Sequence, residues 1–141
     1  MIEAIYIENF KSLAHVTLRL DKFNCLVGMN GAGKTTILQA LDLLTQMMHG
    51  DLEQWLETRG WRSQELHCRT SALQIGRHST VLTLVLRLND GRCLRWGGFL
   101  NRRNMKMNRE TVWLEGKQIM LSMFGSLYIV GHSYEVTQDY T

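Results

Sequence analysis

One short segment near the start of the chain has residue types and spacing that suit phosphate binding: GMNGAGKTT, residues 28–36. A glycine, four further residues, then Gly, Lys and Thr match the pattern GxxxxGK followed by Ser or Thr. Glycines let the backbone turn so tightly that successive N–H groups point at one anion, and a side chain would block that approach. We therefore predict a Walker A loop (P-loop) that binds the β- and γ-phosphates of ATP.

The side chains at the end of this loop have distinct predicted roles. Lys34 adds a full positive charge and is the predicted catalytic residue, while the Thr35 hydroxyl is the predicted ligand of Mg²⁺. Thr36 is placed to hold the α-phosphate. The alternative is a glycine-rich turn with a solvated lysine. It is disfavoured because an apolar strand pattern precedes the loop and an amphipathic helix pattern follows it.

Strand and helix patterns on both sides of the loop predict the elements that position it. Three strand patterns occur, at residues 2–7, 16–20 and 23–27. The third is a compact apolar run, which predicts a buried strand that leads into the loop. A helix is predicted from Lys34 to about Gly50, and a shorter one between Asp51 and Gly60. The apolar stripe of the first helix consists of Ile37, Leu41, Leu44 and Met48, with Leu38 and Ala40 beside it.

The second half of the chain predicts mostly strands. Residues 62–79 have no clear pattern, but apolar alternation from Leu82 to Leu88 and the Asn-Asp-Gly turn that follows predict a β-hairpin. Further strands are predicted near residues 111–114 and 127–130. The predicted fold class is therefore α/β (α+β), as one domain of 141 residues. Its predicted parts are a P-loop core with a mixed sheet over residues 1–60 and an antiparallel β-subdomain over about 80–130.

Hydrolysis needs more than this loop, because an acidic residue must hold the metal and another group must orient the attacking water. The usual acid follows a buried apolar strand. The segment LVLRLND ends in Asp90, but Gly91 makes it a hairpin turn, and GSLYIV is followed by Gly131 and His132. The sequence therefore predicts ATP binding without a recognisable Walker B acid.

Composition limits the setting in which the chain acts. It is 45% hydrophobic with a net charge of +3, so a core can form and no overall field demands a nucleic-acid partner. The three cysteines are too widely spaced for a disulfide framework or a zinc site, which predicts reduced thiols and a cytoplasmic location. No signal peptide and no apolar run of about 18 residues is present, so no membrane association is predicted.

A basic segment lies at residues 92–109, without any acidic residue up to Arg109. Its charged residues are Arg92, Arg95, Arg102, Arg103, Lys106 and Arg109, and Trp96 and Phe99 lie among them. Such a stripe could bind DNA phosphates. A solvated basic face is the favoured interpretation, because the total charge is small and no recognition-helix motif occurs. A DNA-binding module therefore stays an alternative function.

The segments IENFKSL and VGMNGAGKTT together resemble the N-terminal lobe of ABC-type ATPase heads of the SMC, RecF and OLD-like proteins. The segment DLEQWLETRG resembles AAA-type predicted ATPases of bacterial genome maintenance and phage defence. The resemblance implies that Lys11 and Ser12 lie near the nucleotide and that Asn30 lines the γ-phosphate side. The implied nucleotide-binding set is Lys11, Ser12, Asn30, Gly31, Ala32, Gly33, Lys34, Thr35 and Thr36.

The same resemblance implies an ATP-driven head dimerisation switch, whose partner is a second head or a C-terminal lobe. The signature loop of that lobe is echoed only by LSMFG at residues 121–125, where bulky residues replace small ones. We therefore expect a fragment or truncated form that can pair as a homodimer. Without the missing lobe, we expect ATP hydrolysis by this chain to be incomplete. A small P-loop kinase with Arg102, Arg103 and Arg109 as a lid is the other alternative, and the hairpin-rich second half disfavours it.

Overall fold

The computed structural model describes residues 1–68, 79–123, 126–130 and, in their backbone only, 132–135. Two α-helices occur in this part of the chain, α1 (Lys34–His49) and α2 (Leu52–Thr58), and a 3₁₀ turn covers Ser63–Leu66. The strands are β1 (Ile2–Phe10), β2 (Leu13–Arg19), β3 (Ser79–Arg87), β4 (Cys93–Asn101), β5 (Lys106–Leu114), β6 (Lys117–Met123), β7 (Ser126–Ile129) and β8 (His132–Glu135). Neither described helix is long and apolar enough to cross a membrane.

All eight described strands form a single sheet in the order β2-β1-β3-β4-β5-β6-β7-β8. Every strand pair in it is antiparallel. The strand pair with the largest separation in sequence is that of β1 with β3, where Ile5 lies opposite Leu84. The predicted hairpin is formed by β3 and β4, and its turn is closed by the Leu88 N–H, which donates to the Arg92 carbonyl at 2.9 Å. The predicted α/β (α+β) class is confirmed. The described strands of the sheet pair only antiparallel, so the mixed sheet predicted for residues 1–60 is not present among them.

The helices cover one face of the sheet, and the hydrophobic core lies between the helices and that face. Alternate residues of a strand point to opposite faces, so β1 and β3 contribute every second side chain. The buried apolar residues are Ile5, Ile7, Phe10, Ala40, Leu43, Leu44, Trp55, Leu56, Leu66, Leu82, Leu84, Leu100 and Met105. Both α-helices, the 3₁₀ turn and the strands contribute to this cluster. The predicted P-loop core (residues 1–60) and the predicted β-subdomain (about 80–130) therefore share one hydrophobic core.

The buried face of α1 differs from the predicted stripe. Ala40, Leu43 and Leu44 are buried, whereas Leu38 and Met48 are 57% and 64% exposed. A helical pattern predicts how the apolar side chains are spaced around the helix. Which of these side chains is covered depends on where the sheet and α2 lie, and among the described residues they cover only one side of α1.

The predicted buried strand at residues 23–27 is wrong in this structure. None of its residues pairs with a described strand, and Phe23 and Val27 are 85% and 87% exposed. A central strand requires neighbouring strands that satisfy its backbone hydrogen bonds. The apolar segment, continued by Met29 at 85% exposed, therefore lies on the surface before α1.

Asn9 connects three separated segments at the end of β1. Its backbone adopts a left-handed conformation with φ 58°, which asparagine tolerates better than most residues. The Asn9 Nδ2 donates to the Ser79 carbonyl at 2.8 Å, and its Oδ1 accepts from the Cys68 N–H at 3.2 Å. The Thr80 hydroxyl donates to the Asn9 carbonyl at 3.0 Å. Because Asn9 is only 6% exposed, water does not replace these bonds readily.

We expect Asn9→Ala to lower the free energy of unfolding by about 3 kcal/mol, since it removes two side-chain hydrogen bonds to the backbone at a buried residue and strains the left-handed conformation. Chemical denaturation with a two-state fit measures this change. Asn24→Ala is the matched control, because Asn24 also makes two hydrogen bonds but in an exposed turn. We expect the control to cost less than about 1 kcal/mol. Equal losses in both variants would contradict the role of Asn9.

Candidate nucleotide-binding site

The loop before α1 has a backbone shape that only glycine adopts easily. Gly31 and Gly33 have φ angles of 83° and 90°, both in the left-handed region. The Ala32 N–H donates to the Met29 carbonyl at 3.1 Å and closes a turn inside the loop. A Cβ at Gly28 would lie 3.3 Å from the Cβ of Ala32, so a side chain there would crowd the loop from inside. The predicted glycine positions therefore correspond to actual backbone constraints.

The N-terminus of α1 presents unpaired backbone donors to this loop. The first intrahelical bond of this end joins the Ile37 N–H to the Gly33 carbonyl at 3.0 Å, so earlier N–H groups have no partner within the helix. Gly33 is the N-cap and supplies no side-chain cap, and the first turn contains no acidic residue. A cavity of about 190 Å³ lies here, lined by Asn30, Gly31, Gly33, Lys34, Thr35 and Thr36. Free N–H groups at a positive helix end favour an anion.

Lys34 lies inside the loop. Its ammonium donates to the carbonyl oxygens of Gly28 and Met29, the second at 2.7 Å. Carbonyl oxygens are weaker partners for an ammonium than anionic oxygens, because a charged acceptor strengthens the hydrogen bond. The ammonium is thus held next to the cavity by bonds that phosphate oxygens can replace.

Lys11 and Ser12, the residues implied by the family resemblance, lie beside the first turns of α1. The Ser12 hydroxyl donates to the Thr36 hydroxyl at 3.0 Å. The Lys11 ammonium donates to the side-chain carbonyl of Gln39 at 3.0 Å. The turn between β1 and β2 positions both residues, and Lys11 itself has a left-handed φ of 50°. The structure thus brings the two sequence segments together at one helix end.

Sequence reasoning missed the aromatic surroundings of Lys11. The Lys11 ammonium lies 3.1 Å from the centroid of the Trp61 ring, a cation–π contact. Burial lowers the pKa of Lys11 below its ordinary value of 10.5, and Arg59 lowers it further, while Glu65 opposes the shift. Nothing in the spacing of residues 11 and 61 signals this contact, because it depends on how α2 packs against the sheet.

The described residues that line the loop cavity include no carboxylate. The carboxylate of Asp42, on α1, pairs with Arg59, and Asp90 pairs with Arg92 at 2.7 Å in the hairpin turn. Among the described residues, no three His, Cys, Asp or Glu side chains cluster as metal ligands. The exposed Thr35 hydroxyl, the predicted Mg²⁺ ligand, is part of this lining, which also includes Asn30 and Thr36. Mg²⁺ commonly combines one or two protein oxygens with phosphate oxygens. The donor set fits a metal held mainly by nucleotide.

The charged residues of the basic segment differ in their surroundings. Arg102 is buried and Arg92 is paired with Asp90, whereas Arg95 lies over the Trp113 ring at 4.9 Å. Phe99 lies opposite Arg109 on β5. Trp96 lies on the opposite face of β4 from Phe99, which is the face that forms the core, and packs against that core. The exposed members are therefore Arg92, Arg95, Arg103, Lys106 and Arg109.

Two further sequence segments occupy strands. Residues 121–123 of LSMFG lie in β6, which is a strand and not the start of a helix, and Phe124 and Gly125 lie outside the described residues. Residues 126–129 of GSLYIV form β7 in the same sheet. Gly131 and the side chain of His132 also lie outside the part that the structure describes.

We expect Lys11 to titrate below 10.5 in the folded protein, because burial disfavours its charged form. The unfolded chain then binds this proton more tightly, so the Lys11 contribution to stability rises with pH between the lowered pKa and 10.5. An NMR titration of the lysine side chains measures the pKa directly. Lys11→Met should remove this part of the pH dependence, and a Lys11 pKa at or above 10.5 would contradict the prediction.

Comparisons with known proteins agree with this geometry. The family model described as AAA ATPase domain matches residues 1–85. An OLD nuclease from Thermus scotoductus is 40% identical over 62 residues, which are 44% of this chain and 11% of that protein. The DNA replication and repair protein RecF from Porphyromonas gingivalis is 52% identical over 46 residues, which are 32% of this chain and 13% of that protein. RecF from Geobacter metallireducens is 34% identical over 87 residues, 54% of this chain and 24% of that protein.

The fold is also similar to a solved structure from work on ATP-driven dimerization and DNA-stimulated activation of SMC ATPases. The TM-score is 0.52 at 20% identity, over 83% of this chain and 70% of that chain. The chain spans only 11% to 24% of the length of the three curated relatives above. These similarities confirm the predicted resemblance to OLD, RecF and SMC ATPases. Because residues 1–85 are more than half of its 141 residues, the chain belongs to the AAA ATPase domain family.

Proposed function

We propose that this chain binds ATP with Mg²⁺ as the N-terminal lobe of an SMC- or RecF-like ATPase head. The observation that carries the proposal is the uncapped N-terminus of α1, which faces the loop of Gly31 and Gly33 with the Lys34 ammonium inside it. Backbone donors, helix dipole and ammonium all favour the same anion. A merely structural turn has no need of all three.

Each residue has a defined part in this proposal. The Lys34 ammonium leaves the carbonyl oxygens of Gly28 and Met29 and binds the β- and γ-phosphates. Thr35 would hold Mg²⁺ through its hydroxyl, and the metal would neutralise charge on the phosphate oxygens. Thr36, oriented by Ser12, lies on the α-phosphate side. Asn30 would line the γ-phosphate side, and the backbone of Gly31, Ala32 and Gly33 would complete the nucleotide-binding set.

In this proposal, hydrolysis requires an acid from outside the described residues. Neither Asp42 nor Asp90 is suitable, because the first pairs with Arg59 and the second lies in the β3–β4 turn. The acid and the signature loop would come from a C-terminal lobe, and a second head would complete the site. The matched residues are only 11% and 13% of the two relatives, so the rest of each relative is long enough to include such a lobe.

The exposed apolar segment before the loop supports this partner. Phe23, Val27 and Met29 are each at least 85% exposed, and Leu38 on α1 is 57% exposed. Contiguous apolar surface of this kind marks an interaction site. The sequence of residues 23–27 is typical of a strand, but these residues pair with no described strand. A strand of the partner lobe could therefore complete their backbone hydrogen bonds.

ATP-driven head dimerisation in the cytoplasm is the switch that we propose, by analogy with the SMC ATPase relative. DNA repair, genome maintenance or phage defence is the proposed setting, because the relatives are RecF and OLD proteins. Contact with DNA through the exposed Arg95, Arg103 and Arg109 is a secondary proposal. A small kinase is disfavoured, since such enzymes alternate strands with helices and the described strands here are all antiparallel neighbours.

We expect Lys34→Ala to abolish ATP binding in a calorimetric titration with Mg²⁺, because it removes the only full charge in the loop. Lys22→Ala is the matched control, since Lys22 is an exposed lysine before the loop and outside its lining. The control should bind ATP like the original chain. Unchanged binding by Lys34→Ala would overturn the proposal. We also expect no measurable ATP turnover by either protein, and robust turnover would contradict the missing acid.

We expect the isolated chain to self-associate through the exposed apolar segment. Replacing Phe23 and Val27 together by Ser should shift sedimentation velocity profiles toward monomer, because it removes the apolar area that association buries. The matched control replaces Tyr128 and Val130 by Ser, which are exposed apolar residues at the other end of the sheet. An equal shift in the control, or no shift in the Phe23 and Val27 variant, would contradict an interface at this segment.

A further inference from the structure

The face of the sheet that points away from the helices has a regular pattern over β3, β4 and β5. Leu82, Leu84 and Leu100 belong to the core, so the residues that alternate with them lie on the other face. Residues directly opposite each other on neighbouring strands share a face. The outer face, as we call it, consists of nine residues: Val81, Thr83, Val85, Arg95, Gly97, Phe99, Arg109, Thr111 and Trp113.

Gly97 leaves a gap at the centre of the outer face. It lies opposite Thr83 on β3 and opposite Thr111 on β5. A Cβ at Gly97 would lie 3.4 Å from the Thr83 hydroxyl oxygen and 3.5 Å from the Thr111 hydroxyl oxygen, which are ordinary contact distances. Space for at least one methyl group therefore exists above Gly97, between two hydroxyl groups.

The two charged residues of the outer face are both arginines, Arg95 and Arg109, and both are exposed. The Arg95 guanidinium lies 4.9 Å from the centroid of the Trp113 ring, a cation–π contact that restricts its orientation. Arg109 lies opposite Phe99, so an aromatic ring accompanies this arginine as well. Guanidinium groups bind carboxylates through two parallel hydrogen bonds. Because none of the nine residues is acidic, the face is complementary to an acidic ligand.

The spacing of the two arginines matches that of an extended peptide. Arg109 lies opposite Phe99, which follows Arg95 by four residues on β4, so the Cα atoms of the two arginines are about 14 Å apart. An extended peptide also covers about 14 Å in four residues, and every second side chain points to the same side. Residues i and i+4 of such a peptide can therefore reach the two arginines while residue i+2 lies above Gly97.

We propose that the outer face binds an extended acidic segment of a partner protein, in which two acidic residues four positions apart flank an apolar residue. The acidic side chains bind Arg95 and Arg109. The apolar side chain enters the gap above Gly97, beside Phe99 and Trp113. DNA could use the charge of both arginines, but its phosphates would leave the apolar gap empty, so a peptide uses more of the face. The proposal does not depend on ATP binding.

The test uses the probe peptide GSESLSESG, whose glutamates are four positions apart around one leucine. Titrated into the isotope-labelled chain, it should shift the NMR signals of the Gly97 amide and the Trp113 indole. The Trp55 indole signal belongs to the core and should not move. The matched control peptide GSLSESESG has the same composition, but its glutamates are two positions apart. It should bind about fivefold more weakly, because it pairs with one arginine at a time.

Variants of the chain locate the site. Gly97→Val fills the gap with a residue that strands favour, and it should weaken binding of GSESLSESG about tenfold. Arg95→Gln and Arg109→Gln should each weaken it about fivefold, since each removes one charged pair. Arg92→Gln is the matched control and should change nothing, because Arg92 is an exposed arginine that pairs with Asp90 in the β3–β4 turn.

Equal affinities for the two peptides would overturn the proposal, because the face would then recognise charge without spacing. This comparison uses the unmutated chain, so it stands even if a variant misfolds. A Gly97 shift that depends on protein concentration alone would assign the face to a second copy of the chain. Tighter binding of an oligothymidylate than of GSESLSESG at the same signals would assign it to nucleic acid. Either result would exclude the peptide site.

Discussion

The first turn of α1 has backbone N–H groups that the helix itself cannot satisfy, and the loop before it is shaped to keep them open. Gly33 enters the helix in a left-handed conformation and offers no side chain as a cap. Most helices meet this constraint with Ser, Thr, Asp or Asn at the same place. Here the donors, the dipole and Lys34 share one small cavity, and the surrounding elements keep that cavity at the surface while the rest of α1 is anchored.

Anchoring comes from the irregular end of β1. Asn9 and Lys11 both have left-handed φ angles, and they turn the chain so that Phe10 enters the core while Lys11 and Ser12 reach α1. Asn9 in turn ties β1 to residue 68 and to the start of β3. The side chains nearest to the proposed nucleotide therefore depend on residues that touch no nucleotide. Strained residues of this type occur where the surrounding structure holds them firmly.

One side of α1 and the segment before the loop remain uncovered among the described residues. Phe23 and Val27 are almost fully exposed, although their sequence resembles a buried strand. An apolar run of this kind is typical of a strand with neighbours on both sides, and the described residues do not supply such neighbours. The described sheet is antiparallel and forms a core with its own helices, and neither the sheet nor this core includes residues 23–27.

The sequence alone determined the glycine-rich loop before α1, the helices α1 and α2 with their approximate ends, and the β3–β4 hairpin, because each depends on local rules. Glycine spacing, the Asp51 cap and the turn at Gly91 act within a few residues. Tertiary structure decided which face of α1 is buried and that residues 23–27 lie exposed. It also decided that Lys11 meets Trp61 across 50 positions of chain. Those outcomes depend on which segments pack together, and no local pattern encodes the position of a distant neighbour.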